Sequence, residues 1–294
     1  MKKVIVLGCG YVGVRTARLF AQDGWQVIGV TRSAASAERL ASETFRVLAR
    51  DITDAPRLSE TKELNGAEAV ISAVSSGHSG EEEYRQIYLN GLRNAIACLE
   101  PKRVLFVSST SVYGQDDGSW VTEESPAEPG TGTSRVLREA EEVALAHGGI
   151  AARLAGIYGP GRSVMLRRYF QRTAFIEGDG GRHLNQIHAD DAASALFCLI
   201  ANELPAGIYN VCDDQPLTQL ACYQWLAAHL GQPLPPCGPA DPLRKRGLTN
   251  KRVSNAKLRS LGWSLVYPSF QEAVLRDAAL LAGARADDTG DARP

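Results

Sequence analysis

The sequence predicts an α/β fold, with a doubly wound parallel sheet followed by a small C-terminal lobe. Two observations support this prediction. Short apolar runs alternate with helical patterns as far as residue 211, which is the order that builds a parallel sheet covered by helices. The first apolar run, residues 4–7, leads directly into glycines at positions 8, 10 and 13 and then into an amphipathic run over 14–22.

Each predicted element has its own signal in the chain. Strands are predicted at short apolar runs, and helices where apolar side chains recur with helical spacing. In the longest helical pattern, Tyr84, Tyr88 and Leu92 lie on one apolar face, and Pro101 ends the pattern. The predicted strands are 4–7, 26–30, 45–49, 69–74, 103–108, 150–154 and 207–211. The predicted helices are 14–22, 35–42, 81–99, one that begins at 133 or 134, 165–175, 192–201 and 218–230. We expect right-handed crossovers between the strands.

The composition indicates an ordinary globular protein. The chain has 294 residues, of which 44% are hydrophobic and 22% are charged, and its formal net charge is -1. This balance does not favour a nucleic acid or an anionic membrane as a partner. No apolar run approaches the roughly 20 residues that a membrane-spanning helix needs, and the first residues lack the features of a signal peptide. We therefore expect a cytoplasmic protein.

The cysteines and histidines predict neither disulfide bonds nor a metal site. The 6 cysteines are scattered and form no C-x-x-C pair, so we expect reduced thiols. His183, His188, Asp190 and Asp191 have side chains that can bind metals. The two aspartates, however, stand where the N-terminus of the 192–201 helix favours acidic residues. We predict no bound metal.

The glycine-rich turn has the spacing G-x-G-x-x-G. Gly8 permits a sharp turn after the strand, Gly10 lets the backbone approach a pyrophosphate closely, and Gly13 lets the helix pack against the strand. The phosphate would then face the N-terminus of the following helix, where free N–H groups point outward. We therefore predict a Rossmann-like dinucleotide site whose cofactor contacts include the whole turn: Gly8, Cys9, Gly10, Tyr11, Val12 and Gly13. The alternative is a turn that is rich in glycine for structural reasons alone.

The end of the second predicted strand indicates which dinucleotide binds. An acidic residue at this position binds the 2′-hydroxyl of NAD, whereas an arginine accommodates the 2′-phosphate of NADP. The chain has Thr31 and Arg32 there and no acid. NADP is therefore favoured, with NAD as the alternative. The other interpretation of Arg32 is an exposed side chain that contacts no ligand.

Several motifs in the same order resemble the extended short-chain dehydrogenase/reductase family, in its epimerase/dehydratase branch. They are the glycine turn, 51–52, 108–114, 156–160, 187–191, 207–211 and 261–263, and together they span nearly the whole chain. The resemblance implies that Asp51 and Ile52 lie beside the adenine and that Ser109 holds the position of the catalytic hydroxyl. It also implies a polar small-molecule substrate such as a sugar nucleotide. Ala73, Val74 and Ser75 complete the predicted cofactor contacts.

One departure from the family concerns the chemistry. Family enzymes carry Y-x-x-x-K, in which the tyrosine exchanges a proton with a substrate hydroxyl and the lysine lowers the pKa of that tyrosine. In this chain Thr131 stands at the tyrosine position and Arg135 at the lysine position. Thr131 cannot replace a phenol because the pKa of an alcohol is far above 10. Arg135 could keep the positive charge and hold a ribose, but it stays protonated and cannot shuttle protons. Tyr113 is the nearest replacement in sequence, and its alternative role is a buried aromatic under the site. The pattern resembles an atypical subgroup without Y-x-x-x-K.

Two functions therefore stay open. The first is an oxidoreductase-type enzyme that uses NAD(P) on a sugar nucleotide. The second is a non-catalytic NADP-binding protein that acts as a redox sensor or regulatory partner. We predict a dinucleotide domain over 1–161 and 187–211, a substrate lobe over 162–186 and 212–284, and a disordered tail over 285–294. A homodimer is expected from the resemblance.

Overall fold

The structure, a computed structural model, describes residues 1–76, 80–239 and 249–286. Gly77, the basic run 244–246 and most of the predicted tail lie outside the described residues. The strands are β1 (Lys3–Leu7), β2 (Gln26–Thr31), β3 (Arg46–Ala49), β4 (Ala69–Ser72), β5 (Arg103–Ser109), β6 (Trp120–Val121), β7 (Ile150–Leu154), β8 (Gly156–Tyr158), β9 (Ile176–Glu177), β10 (Gln186–His188), β11 (Gly207–Val211), β12 (Cys237–Gly238) and β13 (Arg252–Val253).

The helices follow the predicted alternation, with shorter additions near the C-terminus. They are α1 (Gly13–Gln22), α2 (Ala34–Glu38), α3 (Ala55–Glu60), α4 (Glu81–Tyr84), α5 (Gly91–Leu99), α6 (Gly132–Ala146), α7 (Val164–Phe170), α8 (Ala189–Ala201), α9 (Gln219–Leu230), α10 (Ala256–Ser260), α11 (Phe270–Arg276) and α12 (Ala278–Ala286). A π-helical turn, Arg85–Asn90, joins α4 to α5. In the part of the chain that the structure describes, every helix is too short or too polar to span a bilayer.

The central sheet has seven parallel strands in the order β11-β7-β5-β4-β1-β2-β3. This confirms the predicted doubly wound α/β fold. The chain builds outward from β1 through β2 to β3 on one side and through β4 to β5 on the other. Sheets of this type bind ligands at the carboxyl ends of the strands where the order reverses. We call this place, between the carboxyl ends of β1 and β4, the β1/β4 crevice.

The sheet is buried on both faces. Along β1, Val4 and Val6 belong to one apolar cluster, while Ile5 and Leu7 belong to the cluster on the opposite face. This alternation follows from the strand period of two and explains why the run 4–7 is apolar throughout. The predicted strands therefore have the continuous hydrophobicity of a fully covered parallel sheet.

A separate apolar core lies in the C-terminal part of the molecule. It is formed mainly by α7, α9, α11 and α12, with Tyr158, Leu166, Tyr223 and Phe270 among its buried members. Most of its residues fall in the segments predicted for the lobe, 162–186 and 212–284. The domain boundaries themselves stay predictions.

Several helix boundaries differ from those predicted. The predicted helix 81–99 is interrupted by the π-helical turn, and the predicted helix 165–175 ends at Phe170. The second difference has a local cause, because Arg172 takes a left-handed φ of 55° that a helix cannot continue through. Helix α12 extends through Arg285 and Ala286, two residues into the predicted tail.

Candidate functional site

The glycine turn lies at the carboxyl end of β1 and has an open surface. Gly8 has a φ of +89°, and a Cβ there would come within 2.6 Å of the Ala73 carbonyl oxygen. A Cβ on Gly13 would overlap the carbonyl oxygen of Gly8, whereas a Cβ on Gly10 would meet nothing within 4 Å. Gly8 and Gly13 are thus required for packing, and Gly10 leaves space above the backbone.

This turn fits the pyrophosphate of a dinucleotide. Helix α1 begins at Gly13, and no side chain caps its N-terminus. The positive end of its dipole is therefore directed at an anion bound on the turn. Cys9 points away from this surface, since its buried thiol lies 3.6 Å from the Val6 carbonyl oxygen. Burial raises the pKa of Cys9 to about 12, so its thiol is not activated.

The predicted adenosine contacts lie on the β2–β3 side of the crevice. Thr31 is buried, and its hydroxyl donates to the Ser33 carbonyl at 3.3 Å, while the neighbouring Arg32 is exposed. Asp51 follows β3 and accepts from both the backbone and the hydroxyl of Thr53. The Ile52 side chain is buried beneath α5, against Gly91.

The loop after β4 forms the opposite wall of the crevice. The N–H of Ala73 donates to the Leu7 carbonyl at 2.8 Å, and the Ala73–Val74 backbone packs directly against Gly8. One helical side chain also reaches this loop, because the Ser76 N–H donates to the Tyr88 hydroxyl at 3.4 Å. Ala73 and Val74 therefore adjoin the glycine turn, and Ser75 follows them in the loop.

A cluster of hydroxyl groups joins Ser109 to Thr131 at the carboxyl end of β5. The Ser109 hydroxyl accepts from the Ser111 N–H at 3.1 Å. Thr131 donates to the Ser134 hydroxyl at 2.9 Å, and Ser134 donates to the Ser111 hydroxyl at 3.1 Å. The structure therefore brings together two predicted site residues from different elements.

Thr131 and Arg135 have positions that do not reproduce the missing pair. Thr131 is the N-cap of α6, where its hydroxyl accepts from the Ser134 N–H. This role is typical of threonine before a helix and requires no proton transfer. Arg135 is exposed one turn into α6.

Tyr113 is directed away from the hydroxyl cluster. It is fully buried, and its hydroxyl lies 2.9 Å from the Thr122 carbonyl and 2.8 Å from the Asn210 side-chain oxygen. The Arg153 guanidinium lies over its ring at 4.7 Å. Burial raises the pKa of Tyr113. These contacts favour its alternative role, an aromatic packed beneath the site.

A buried ion pair under β5 was missed by sequence reasoning. Arg153 of β7 donates two hydrogen bonds to the Glu141 carboxylate of α6, at 2.9 and 2.7 Å, and both side chains are almost completely buried. The Ser108 hydroxyl donates to the same carboxylate at 2.6 Å. An arginine inside the apolar run 150–154 was the available signal, since a buried charge needs a partner.

Lys251 is a second residue that the sequence did not single out. It is 4% exposed, and its ammonium group donates to the Tyr113 carbonyl oxygen at 2.9 Å and to the Thr249 hydroxyl at 2.5 Å. Lys251 therefore connects the C-terminal part of the chain to the segment that carries Ser109. Burial lowers the pKa of Lys251 from 10.5 to about 8.

Replacing Lys251 with methionine is expected to change how stability depends on pH. The unfolded chain holds the lysine proton more tightly than the folded chain, so this group adds stability as the pH rises from about 8 to 10.5. Lys251→Met should lose that rise, which urea unfolding at several pH values measures. Lys257→Met removes a positive charge from the same segment and is the matched control. Equal slopes for the wild type and Lys251→Met would contradict the prediction.

Two of the four candidate metal ligands, His188 and Asp191, join the C-terminal segment to α8. His188 caps α8 and its Nε2 lies 3.2 Å from the Asp277 carboxylate. Asp191 accepts from the N–H groups of Val266 and Tyr267 at 2.6 and 2.9 Å. Within residues 1–76, 80–239 and 249–286, no group of three or more potential ligands is arranged to hold a metal.

Comparisons with known proteins agree with this architecture. A family model described as the NAD dependent epimerase/dehydratase family matches residues 4–212. Protein YeeZ of Escherichia coli (strain K12) is 30% identical over 277 residues, which cover 91% of this chain and 97% of YeeZ. A protein of known structure from Methylobacillus flagellatus is 32% identical with a TM-score of 0.78, and the match covers 97% of this chain and 99% of that one.

A more distant structure shows the same fold. DesIV, a dTDP-glucose 4,6-dehydratase from Streptomyces venezuelae solved with NAD bound, has a TM-score of 0.79 at 21% identity. The match covers 98% of this chain and 97% of DesIV. The family model covers well over half of the chain, and YeeZ matches it over nearly its full length. This chain belongs to the NAD-dependent epimerase/dehydratase family.

Proposed function

We propose that this protein is an NAD(P)-dependent oxidoreductase of the epimerase/dehydratase type, with a non-standard active site, that acts on a sugar nucleotide or a similar polar molecule. One observation carries the proposal. The open glycine turn lies at the β1/β4 crevice, and the hydroxyl cluster lies at the end of β5, the next strand beyond β4. A dinucleotide on the turn would therefore extend toward the cluster.

The cofactor-binding residues follow the sheet from one side to the other. Thr31, Arg32, Asp51 and Ile52 would hold the adenosine end, and the glycine turn would hold the pyrophosphate. Ala73, Val74 and Ser75 would contact the nicotinamide half. The bound cofactor would accept a hydride from the substrate and return it.

The substrate would lie between the hydroxyl cluster and the C-terminal lobe. Ser109 would donate a hydrogen bond to a substrate oxygen, and Thr131 would stabilise the start of α6 beside it. The substrate class is suggested by DesIV, which is a dTDP-glucose 4,6-dehydratase. We also propose that 162–186 and 212–284 form the substrate lobe, since most of the second apolar core falls in these segments.

The second candidate function is a non-catalytic NADP-binding sensor or regulatory protein. Two observations favour it. The residue at the family's tyrosine position serves as a helix cap, and the residue at the lysine position is exposed. A protein that only binds the cofactor would need neither side chain for chemistry.

The test combines binding and turnover. Purified protein is titrated with NADPH and with NADH while the fluorescence of the cofactor is followed, and UDP- and dTDP-sugars are then screened for turnover. Saturable binding with turnover supports the enzyme, and saturable binding without turnover of any sugar nucleotide favours the sensor. If neither cofactor binds, both functions are wrong.

Replacing Arg32 with glutamate is expected to reverse the cofactor preference. The wild type should bind NADPH more tightly than NADH, because an arginine at the end of β2 can pair with the 2′-phosphate. In Arg32→Glu the carboxylate repels that phosphate and can bond the ribose hydroxyls, so the ratio of the two dissociation constants should move by about tenfold or more, equal to about 1.4 kcal/mol. Arg93→Glu, on the exposed side of α5, is the charge-matched control. An unchanged ratio in Arg32→Glu would show that Arg32 does not contact the cofactor.

A further inference from the structure

Thr131, the N-cap of α6, stands where family enzymes have their catalytic tyrosine. A replacement phenol must therefore come from a tyrosine elsewhere in the chain. All 9 tyrosines lie among the described residues. Four of them direct their hydroxyls to backbone carbonyl oxygens: Tyr11 to Pro160, Tyr113 to Thr122, Tyr169 to Gln232 and Tyr209 to Pro205. Tyr158 and Tyr223 are buried in the second apolar core, the Tyr267 ring packs on His188, and the Tyr84 ring packs on Tyr88.

The Tyr88 hydroxyl contacts the loop after β4, which forms one wall of the β1/β4 crevice. The Ser76 N–H donates to its oxygen at 3.4 Å, and Ser76 directly follows the predicted cofactor contacts Ala73, Val74 and Ser75. β4, which leads into this loop, pairs with β1 on one side and with β5 on the other. The Tyr88 hydroxyl therefore contacts the loop that follows β4, the strand between the one that carries the glycine turn and the one that carries Ser109.

The Tyr88 side chain is held in this position from two sides. Its ring meets Phe106 of β5 edge-on, with 6.4 Å between centroids, and packs against Tyr84 at 4.7 Å. Its backbone belongs to the π-helical turn Arg85–Asn90, a feature that is frequent at functional sites. Arg85, in the same turn, forms an ion pair with Glu139 of α6 through two hydrogen bonds. This pair holds the turn against α6, whose N-cap is Thr131.

The direction of the cofactor places its reactive end near this hydroxyl. In the proposed binding mode the adenosine lies toward β2 and β3 and the pyrophosphate lies at β1. The nicotinamide must then extend past β4 toward β5. The loop that Tyr88 contacts lies on that path.

We propose that Tyr88 is the proton-transferring residue of this active site and replaces the phenol that Thr131 cannot supply. The inference rests on the proposed function. With the oxidised cofactor bound, Tyr88 acts as a phenolate, its own proton having passed to solvent. As a substrate secondary alcohol is oxidised, its O–H proton passes to the phenolate oxygen of Tyr88, its C–H hydride passes to the oxidised cofactor, and the carbon–oxygen bond becomes a ketone. In the reverse direction Tyr88 donates the proton to the ketone oxygen as the hydride returns.

The first test reads the Tyr88 phenol itself and needs no substrate. The ultraviolet absorbance of tyrosinate is followed against pH in the presence of saturating NADP+ or NADPH. A phenol beside the nicotinamide should ionise at lower pH with the cationic oxidised ring than with the neutral reduced ring. We expect this difference in the wild type and in Tyr84→Phe, and its loss in Tyr88→Phe.

Two outcomes of this titration would overturn the proposal. One is a difference that survives in Tyr88→Phe. The other is no difference in the wild type although both cofactor forms bind saturably. Failure of the proposed function is distinguishable, because the wild type would then either show no binding in the cofactor fluorescence titration or bind the cofactor without turnover of any sugar nucleotide. Either result would remove the basis for Tyr88 as well.

The second test separates catalysis from support of the loop. On a sugar nucleotide that the wild type converts, Tyr88→Phe should lower kcat by about 10²–10⁴-fold. The dissociation constant of NADPH and the KM should change by less than about threefold, since phenylalanine keeps the ring contacts with Phe106 and Tyr84. A variant that weakens NADPH binding while keeping kcat would assign Tyr88 to loop support instead, and Tyr84→Phe is the matched control.

Discussion

Replacing Gly10 with valine is expected to abolish NAD(P) binding and to leave the folded protein as stable as the wild type. A Cβ at position 10 meets nothing within 4 Å, and Gly10 does not have the positive φ that would strain a side chain. The valine side chain would instead occupy the space where a pyrophosphate approaches the backbone. We expect an affinity loss of at least about 100-fold, or roughly 2.7 kcal/mol.

The measurement is the NADPH fluorescence titration, together with urea unfolding of the same sample. Gly130→Val is the matched control, because position 130 is also exposed, has no neighbour within 4 Å of a Cβ and lies away from the glycine turn. Tight binding by Gly10→Val would show that the cofactor does not use this turn. Gly8 and Gly13 are poor choices for this test, since a Cβ at either position overlaps the backbone and would disturb the fold.

Removing the Glu141 carboxylate is expected to produce the largest loss of stability. Glu141 and Arg153 are 0% and 1% exposed, and the pair is held by two hydrogen bonds from the guanidinium. In Glu141→Leu the Arg153 charge would remain buried without its partner, and Ser108 would lose its acceptor. Breaking a buried pair in this way costs about 3–5 kcal/mol. Urea unfolding followed by circular dichroism measures the loss.

A double variant separates the contribution of the ion pair to the free energy of unfolding from the cost of leaving one buried charge without a partner. In Glu141→Leu with Arg153→Met, both charges are replaced by apolar groups, and most of the lost stability should return. Glu139, on the same helix as Glu141, forms a more exposed ion pair with Arg85 of the π-helical turn. Glu139→Gln breaks that pair and should lower the free energy of unfolding far less than Glu141→Leu does. Additive losses in the double variant would contradict this account, because they would show that the two charges do not interact.

The parallel sheet and the glycine turn could be predicted because their signals are local. The runs 4–7, 69–74 and 103–108 are apolar as strands covered on both faces must be, and the turn glycines are adjacent in sequence. The hydroxyl cluster could be predicted in part. Ser109 and Thr131 came from the resemblance, but the link through Ser111 and Ser134 depends on how α6 packs against β5.

The chemistry of the site could not be predicted in the same way. Tyr113 follows Ser109 closely in sequence, yet its side chain points into the core toward Asn210. Tyr88 is distant in sequence from both Ser109 and the glycine turn, yet its hydroxyl meets the loop between them. Closeness along the chain did not indicate which phenol contacts the loop after β4.

The sequence by itself determined the order of the elements, the fold class, the family and the position of the glycine turn. These depend on local patterns of apolar residues and glycines, which the chain displays directly. Only the tertiary structure decided the partners of Arg153, the burial of Lys251 and the directions of Tyr88 and Tyr113. These contacts join residues far apart in sequence, and they depend on strand register and helix packing, because a side chain's direction is set by its whole element and not by its neighbours in the chain.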